Sequence, residues 1–137
     1  MKRRMLFWSL GLILIFSAIA HAAVIGTNDE DVKQYADPIM DNILQGMSTD
    51  NYSIYVKDFD QDLKSLLSQK RFIEKRKEIL DWVGSYLYRE YLGYINTQGA
   101  TVVFWKGTFD KTNNDILIRL TLTNEQGKYL VKALSYQ

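Results

Sequence analysis

Apolar residues recur at three- and four-residue steps in the segment that begins near residue 30. This spacing places them on one side of a helix, so it predicts an amphipathic helix that covers a core. The residues that share this face are Val32, Tyr35, Ala36, Ile39, Met40, Ile43, Leu44 and Met47. Thr27 and Glu30 form a capping-box pattern at the start of the helix. Pro38 predicts either a kink or a restart with Asp37 as the N-cap.

A second apolar pattern predicts a helix over residues 68–83, with Ser68 as its N-cap and Gly84 as its stop. At 100° per residue, one side of this helix carries Phe72, Ile73, Ile79, Leu80 and Val83. Arg76 falls near the middle of the same arc, a local inconsistency of the kind found at functional positions. Between the two helices, residues 52–58 and 61–67 each predict a short helix or turn.

After Gly84 the apolar period changes to two, which is typical of strands. Four segments rich in aromatic and β-branched residues follow it: 86–95, 101–109, 116–123 and 128–136. The connections between them are short and rich in Asn, Asp and Gly, so successive strands are expected to pair antiparallel. The chain therefore predicts an α+β domain, with N-terminal helices packed on one face of a curved four-stranded antiparallel meander.

Simple alternation gives the first two strands an apolar face on both sides. On the first strand it places Leu87, Tyr91 and Ile95 opposite Tyr86, Tyr88, Leu92 and Tyr94. On the second it places Val103, Trp105 and Phe109 opposite Val102 and Phe104. Only one face can pack on the helices. The other, with Tyr86, Tyr88, Tyr94 and Phe104, is expected to form the interface of a homodimer or a protein complex. The alternative is a set of singly exposed tyrosines, which a sheet tolerates.

The first 22 residues form the pattern of a secretory signal. Lys2, Arg3 and Arg4 precede an apolar run over residues 5–16, and Ala20-His21-Ala22 supplies small residues at a cleavage site. This order predicts a signal peptide (1–22) cut after Ala22, a short linker (23–29) and one exported domain (30–137). The destination is the periplasm, the cell surface or the extracellular space. The alternative is an uncleaved membrane anchor, because residues 5–25 carry no charge and are long enough to span a bilayer.

Cleavage would also change the chemistry open to the chain. It would leave 115 residues with 14 basic and 16 acidic side chains, and it would remove His21, the single histidine. The chain has no cysteine. Catalysis by Ser-His-Asp or Cys-His groups and zinc or copper held by His or Cys are therefore excluded for the mature domain. We expect no metal and no cofactor, and we assign no catalytic residue.

The order of several segments resembles a known family. Those segments are the Ile39-x-x-x-Ile43-Leu44 helix, residues 51–60, the helix from Phe72 to Gly84, and the meander from Val102 to Leu134. Together they resemble small secreted bacterial and archaeal domains of unknown function with a cystatin-like cone, in the NTF2-like superfamily. That superfamily includes enzymes, ligand binders and dimeric adaptors, so the resemblance implies a fold and leaves the function open. Some enzymes of that superfamily use His-Asp pairs, and this chemistry is excluded for the mature domain because it has no histidine.

Asp58, Asp60 and Asp62 alternate as at the start of a calcium loop. The loop needs Gly at its sixth position and Glu at its twelfth, where this chain has Leu63 and Gln69. Helix capping and solvation by Asp60 or Asp62 is therefore the better interpretation. Glu74 and Glu78 alternate with the basic residues over 70–77, and Lys70 and Glu74 are four residues apart. This pattern indicates a solvated helix face rather than a nucleic-acid surface.

Arg76 is the first candidate for ligand binding. Its cation is predicted to enter the cavity of the cone, beside Tyr91 and Trp105, and to hold a carboxylate or phosphate. The alternative is an arginine that lays its stem on apolar neighbours and pairs with an acid. We expect an exported, non-catalytic module that binds a small ligand or a protein partner. The alternatives are a small isomerase or hydrolase that uses carboxylate and Tyr, and an envelope domain without a pocket.

Overall fold

The computed structural model describes residues 22–137, in which four helices precede four strands. The helices are α1 (Asp29–Ser48), α2 (Tyr52–Tyr55), α3 (Gln61–Leu66) and α4 (Gln69–Val83). The strands are β1 (Tyr86–Thr97), β2 (Ala100–Phe109), β3 (Ile116–Glu125) and β4 (Lys128–Tyr136). They form one sheet in the order β1-β2-β3-β4, and every neighbouring pair is antiparallel. The predicted α+β class and its curved antiparallel meander are confirmed.

Helix α1 buries the face that the sequence predicts, but it begins differently. Its N-cap is Asn28 rather than Thr27, because the Asn28 side chain accepts a hydrogen bond from Asp31 N at 2.9 Å. Asn is as good a cap as Thr, and it satisfies one of the free N–H groups of the first turn. The helix runs without interruption through Pro38, so Asp37 is not a second N-cap.

The three later helices each begin at a side-chain cap. Asn51, Asp60 and Ser68 accept hydrogen bonds from the backbone N–H three residues ahead, at 3.1, 2.8 and 3.2 Å. Such caps satisfy N–H groups that a helix itself leaves free. Gly84 ends α4 with a φ of 83°, in the left-handed region that favours glycine. The predicted capping by Asp60 and Ser68 and the predicted stop at Gly84 are confirmed.

The core lies between α1 and the inner face of the sheet. The most completely buried apolar residues of the strands are Val103, Trp105, Ile118, Leu120, Leu122 and Val131. They meet the apolar face of α1, and Tyr55, Phe59 and Phe72 extend the same core beneath the short helices. A smaller cluster of Val83, Phe109 and Ile116 fixes the end of α4 to the sheet. The predicted inward face of β2, with Val103, Trp105 and Phe109, is thereby confirmed.

Strand β1 does not alternate as the sequence predicts. Its pairing with β2 shifts by one residue between Tyr86 and Tyr88, and again between Tyr91 and Gly93. Each extra residue reverses which face the following side chains occupy. Tyr86 pairs with Phe109, and Tyr91 and Tyr94 pair with Trp105 and Val103, so all three tyrosines face the helices. Tyr88 and Phe104 lie on the outer face, so the expected common face of Tyr86, Tyr88, Tyr94 and Phe104 is wrong.

The segment that precedes α1, which the sequence predicts as a linker, lies against the sheet. Ala23 exchanges backbone hydrogen bonds with Asn124 at 2.9 and 2.8 Å. Ile25 is buried, and its N–H donates to Thr101 Oγ1 at 3.0 Å. The Asn96 amide donates to Gly26 O at 2.9 Å. These contacts tie the start of the described chain to the ends of the strands.

Truncation of Leu120 tests the position of the core. Leu120→Ala removes a side chain with no exposed surface, so the free energy of unfolding should fall by about 3 kcal/mol. Leu92→Ala is the matched control, because Leu92 is 54% exposed and its loss should cost less than about 0.5 kcal/mol. Urea denaturation of the purified protein measures both values. Equal losses in the two variants would contradict this arrangement of the sheet.

Candidate binding cleft

A cleft of about 730 Å³ opens between α3, α4 and β4. Its apolar lining includes Phe59, Leu63, Leu66, Ile79, Trp82 and Leu134. The charged residues at its edge are Arg71, Glu74, Lys75 and Glu78, which follow one side of α4. We call this site the α3–α4–β4 cleft. Its size falls within the usual range of small-ligand sites, about 300–1,000 Å³.

The helices that form the cleft are only partly packed. Helix α3 has no buried residue, and α4 buries only Phe72 and Val83. Leu66 and Trp82 line the cleft with 65% and 52% of their surface exposed. Large apolar side chains exposed together in a concave site often mark a place where another molecule binds.

Asp60 fixes α3 to β4. Its carboxylate caps α3 and also accepts a hydrogen bond from Lys132 Nζ at 2.7 Å. The Asp60 N–H donates to Val131 O at 3.0 Å. Burial alone would raise the pKa of the Asp60 carboxyl, but the bonds from Lys132 and Leu63 N and the Lys132 charge outweigh it. The pKa therefore lies below its usual value, and Asp60 is charged at neutral pH.

Helix α4 is held at three points. Near its start, the Phe72 ring lies 4.8 Å from the Tyr55 ring, and at its end Val83 is buried. In its middle, Arg76 Nε donates to Met47 O at 2.6 Å, and it lies 3.9 Å from Asp50 Oδ1. Met47 is in the last turn of α1, where carbonyl groups lack partners within the helix. Arg76 thus connects α4 to α1.

Two tyrosines line the cleft, and we call the part that they line its inner end. Tyr55 is buried, and burial raises its pKa to about 12. Burial, with a smaller contribution from the neighbouring Tyr55 hydroxyl, raises the pKa of Tyr136 well above its usual value. The Tyr136 hydroxyl is inaccessible to water and has no hydrogen-bond partner of good geometry among residues 22–137. Both side chains line the cleft, so its inner end carries hydroxyl groups that stay protonated at neutral pH.

The structure separates the three residues that the sequence predicts as ligand-binding. Tyr91 and Trp105 are neighbours, with ring centroids 6.5 Å apart, at the contact of the sheet with α1. The Tyr91 hydroxyl donates to Asp29 Oδ1 at 2.8 Å, and Trp105 Nε1 donates to Asp37 Oδ1 at 3.2 Å. Arg76 lies at the other end of α1, and none of the three lines the α3–α4–β4 cleft.

Sequence reasoning missed Arg89, which shares the inward face of β1 with Tyr91. Its guanidinium lies 2.8 Å from Asp41 Oδ1 and 3.5 Å from Asp37 Oδ1. It also lies 5.7 Å from the centre of a Trp105 ring. Asp37 and Asp41 are four residues apart on α1, so they face the same way. The sequence carried a signal for this contact: an arginine lies among the aromatic residues of β1, and two acids lie four residues apart on α1. Arg89 joins β1 to α1.

A smaller cleft beside Arg89 encloses about 340 Å³. It is lined by Asp41, Leu44, Gln45, Ser48, Tyr86 and Arg89. The Arg89 charge is already paired with two carboxylates, so it is not free to bind a charged group of a ligand in this cleft. We therefore take the α3–α4–β4 cleft as the candidate site.

The outer face of the sheet is partly apolar. Tyr88, Leu92 and Ile95 of β1 are each more than half exposed, and Phe104 lies beneath the Arg119 guanidinium at 5.8 Å. Tyr88 and Phe104 remain candidates for an interface, whereas Tyr86 and Tyr94 pack against the core. That this face forms a homodimer stays a prediction.

No protein-family model matches this chain, and no curated protein matches it. Within residues 22–137, no group of His, Cys, Asp or Glu side chains is placed to hold a metal ion. None of the helices in this part of the chain has the length and apolar character needed to cross a membrane.

The Asp60–Lys132 pair predicts how stability depends on pH. Because the pKa of Asp60 is lower in the folded state, its stabilisation is present above about pH 4 and is lost as the pH falls further. Asp60→Asn should lower the free energy of unfolding by about 1–3 kcal/mol at pH 7 and should flatten the decline below pH 4. Urea denaturation at several pH values measures this. Asp62→Asn, which changes an exposed carboxylate on the same helix, is the control. If the free energy of unfolding of Asp60→Asn fell below pH 4 in parallel with that of the wild type, the role of this pair would be contradicted.

Proposed function

We propose that the protein is an exported, non-catalytic binding module and that its ligand lies in the α3–α4–β4 cleft. The observation that carries this proposal is the exposure of Leu66 and Trp82 inside a concave apolar site whose helices are anchored. A ligand that covers these side chains removes apolar surface from water, which is worth about 25 cal/mol per Å². The ligand is therefore expected to be largely apolar.

The polar groups of the cleft favour binding over catalysis. Glu74 and Glu78, the carboxylates that line it, are exposed on α4, and Glu78 lies 3.6 Å from Lys75 Nζ. The raised pKa values of Tyr55 and Tyr136 keep both hydroxyls protonated at neutral pH. Protonated phenols donate hydrogen bonds and do not act as bases. A small enzyme that uses carboxylate and Tyr is therefore the less favoured alternative.

We also propose that the domain belongs to the NTF2-like superfamily with a cystatin-like cone. The support is the order of elements, four helices before a four-stranded antiparallel meander. Shared architecture does not itself assign a ligand. The nature of the ligand must therefore come from the residues of the cleft.

Removal of exposed apolar groups from the cleft tests the proposed function. N-phenyl-1-naphthylamine, an uncharged fluorescent probe of apolar sites, should bind the purified protein. Trp82→Ala should weaken the binding about tenfold or more, and Leu66→Ser by about threefold to tenfold, because each removes apolar contact area. Fluorescence titration measures the affinities.

Leu92→Ser is the matched control for Leu66→Ser, because both leucines are more than half exposed and Leu92 lies in β1, outside the cleft. Its affinity should equal that of the wild type. Absence of probe binding would contradict the proposed function. Equal weakening in Leu66→Ser and Leu92→Ser would show that the probe binds apolar surface in general.

Export of the full chain by a bacterial host tests the proposed location. The mature protein should begin at Ala23, because the small residues at positions 20 and 22 suit a signal peptidase. Cleavage there leaves the Ala23–Asn124 pairing intact. Intact-mass measurement of the exported protein identifies the first residue, and Ala22→Arg should block the cut. Recovery of the wild type with residues 1–22 still attached would contradict cleavage and favour the anchor.

A further inference from the structure

The Tyr136 hydroxyl is the least satisfied polar group of the cleft. It is inaccessible to water and lacks a partner of good geometry among the described residues. Buried polar groups in folded proteins are almost always hydrogen-bonded, so an exception calls for an explanation. Tyr136 and the neighbouring Tyr55 both line the α3–α4–β4 cleft.

The Tyr55 hydroxyl beside it cannot remove this deficit. A phenol has one hydrogen to donate, and its oxygen can also accept. If one of the two hydroxyls donates to the other, the hydrogen of the acceptor is still without a partner. Because both groups stay protonated at neutral pH, the pair always retains one hydrogen that can be donated. The missing component is an acceptor.

The charges of the cleft indicate which acceptor fits. Arg71 and Lys75, the cations that line it, are exposed on α4, whereas Tyr55 and Tyr136 lie among apolar residues of the core. An anionic group beside the two tyrosines would be buried without a counter-charge, which is strongly unfavourable. An uncharged carbonyl oxygen accepts a hydrogen bond without that cost.

We propose that the ligand is an uncharged, largely apolar molecule with a carbonyl-type oxygen, which accepts a hydrogen bond from the Tyr55–Tyr136 pair. This inference rests on the proposed binding function of the cleft. The apolar body of the ligand contacts Leu66 and Trp82, and its oxygen lies at the inner end. The two parts of the site thus recognise two parts of one molecule.

Three probes of nearly equal size separate these contributions. 2-Acetylnaphthalene carries a carbonyl, 2-isopropylnaphthalene replaces it with a hydrocarbon group of similar shape, and 2-naphthoate carries a charge. Equilibrium dialysis with the purified protein measures each affinity. The wild type should bind the ketone more tightly than the carboxylate. The ratio of ketone to hydrocarbon affinity should fall about tenfold in whichever of Tyr136→Phe and Tyr55→Phe removes the donated hydrogen, as expected for loss of one hydrogen bond.

Tyr55→Phe covers the case in which Tyr55 supplies the hydrogen, and Tyr88→Phe on the outer face is the control that should leave the ratio unchanged. Tyr136→Phe removes only the unpartnered hydroxyl and keeps the ring, so this variant should stay folded. Urea denaturation checks its stability. A lower ratio in either cleft variant supports the inference. An unchanged ratio in both, or tighter binding of the carboxylate than of the ketone, would overturn it while the binding function stands. Failure of all three probes to bind would instead count against the proposed function.

Discussion

One helix is too narrow to cover a four-stranded sheet, and the rest of the structure depends on this constraint. Strands lie about 4.8 Å apart, so the axes of the outer strands are about 14 Å apart, whereas a helix with its side chains is about 10 Å wide. Helix α1 contacts β1 and β2 through Tyr91 and Trp105, and it reaches the start of β4 through the stacked rings of Tyr35 and Tyr129. The end of β4, at Leu134 and Tyr136, is left to the short helix α3 and to α4, which cover it incompletely. The cleft lies where their cover ends.

The anchors of these helices make the cleft a fixed feature of the fold. Asp60 joins α3 to β4, Arg76 joins α4 to α1, and Val83 packs against β2 and β3. A site whose walls are already in place requires less ordering when a ligand binds, which favours affinity. The same anchors keep Trp82 exposed, because α4 is tied at both ends and in its middle.

The sequence predicts those parts of the fold that depend on local spacing. The apolar face of α1, the Ser68 cap, the Gly84 stop and the order of the strands all follow from residues near one another in the chain. The faces of β1 could not be predicted, because the extra residues arise from pairing with β2. Arg76 is conspicuous in the sequence, but the carbonyl that it contacts belongs to a helix 29 residues away in the chain. The cleft is a gap between distant elements, which no local pattern encodes.

The central claim is that the α3–α4–β4 cleft, rather than the outer face of the sheet, holds an apolar ligand. Nuclear Overhauser effects between 2-acetylnaphthalene and leucine methyl groups of the labelled protein test it most directly. The account predicts such effects at Leu66 and Leu134, which line the cleft, and none at Leu92 in the edge strand β1. Effects at Leu92 without any at Leu66 or Leu134 would contradict the account.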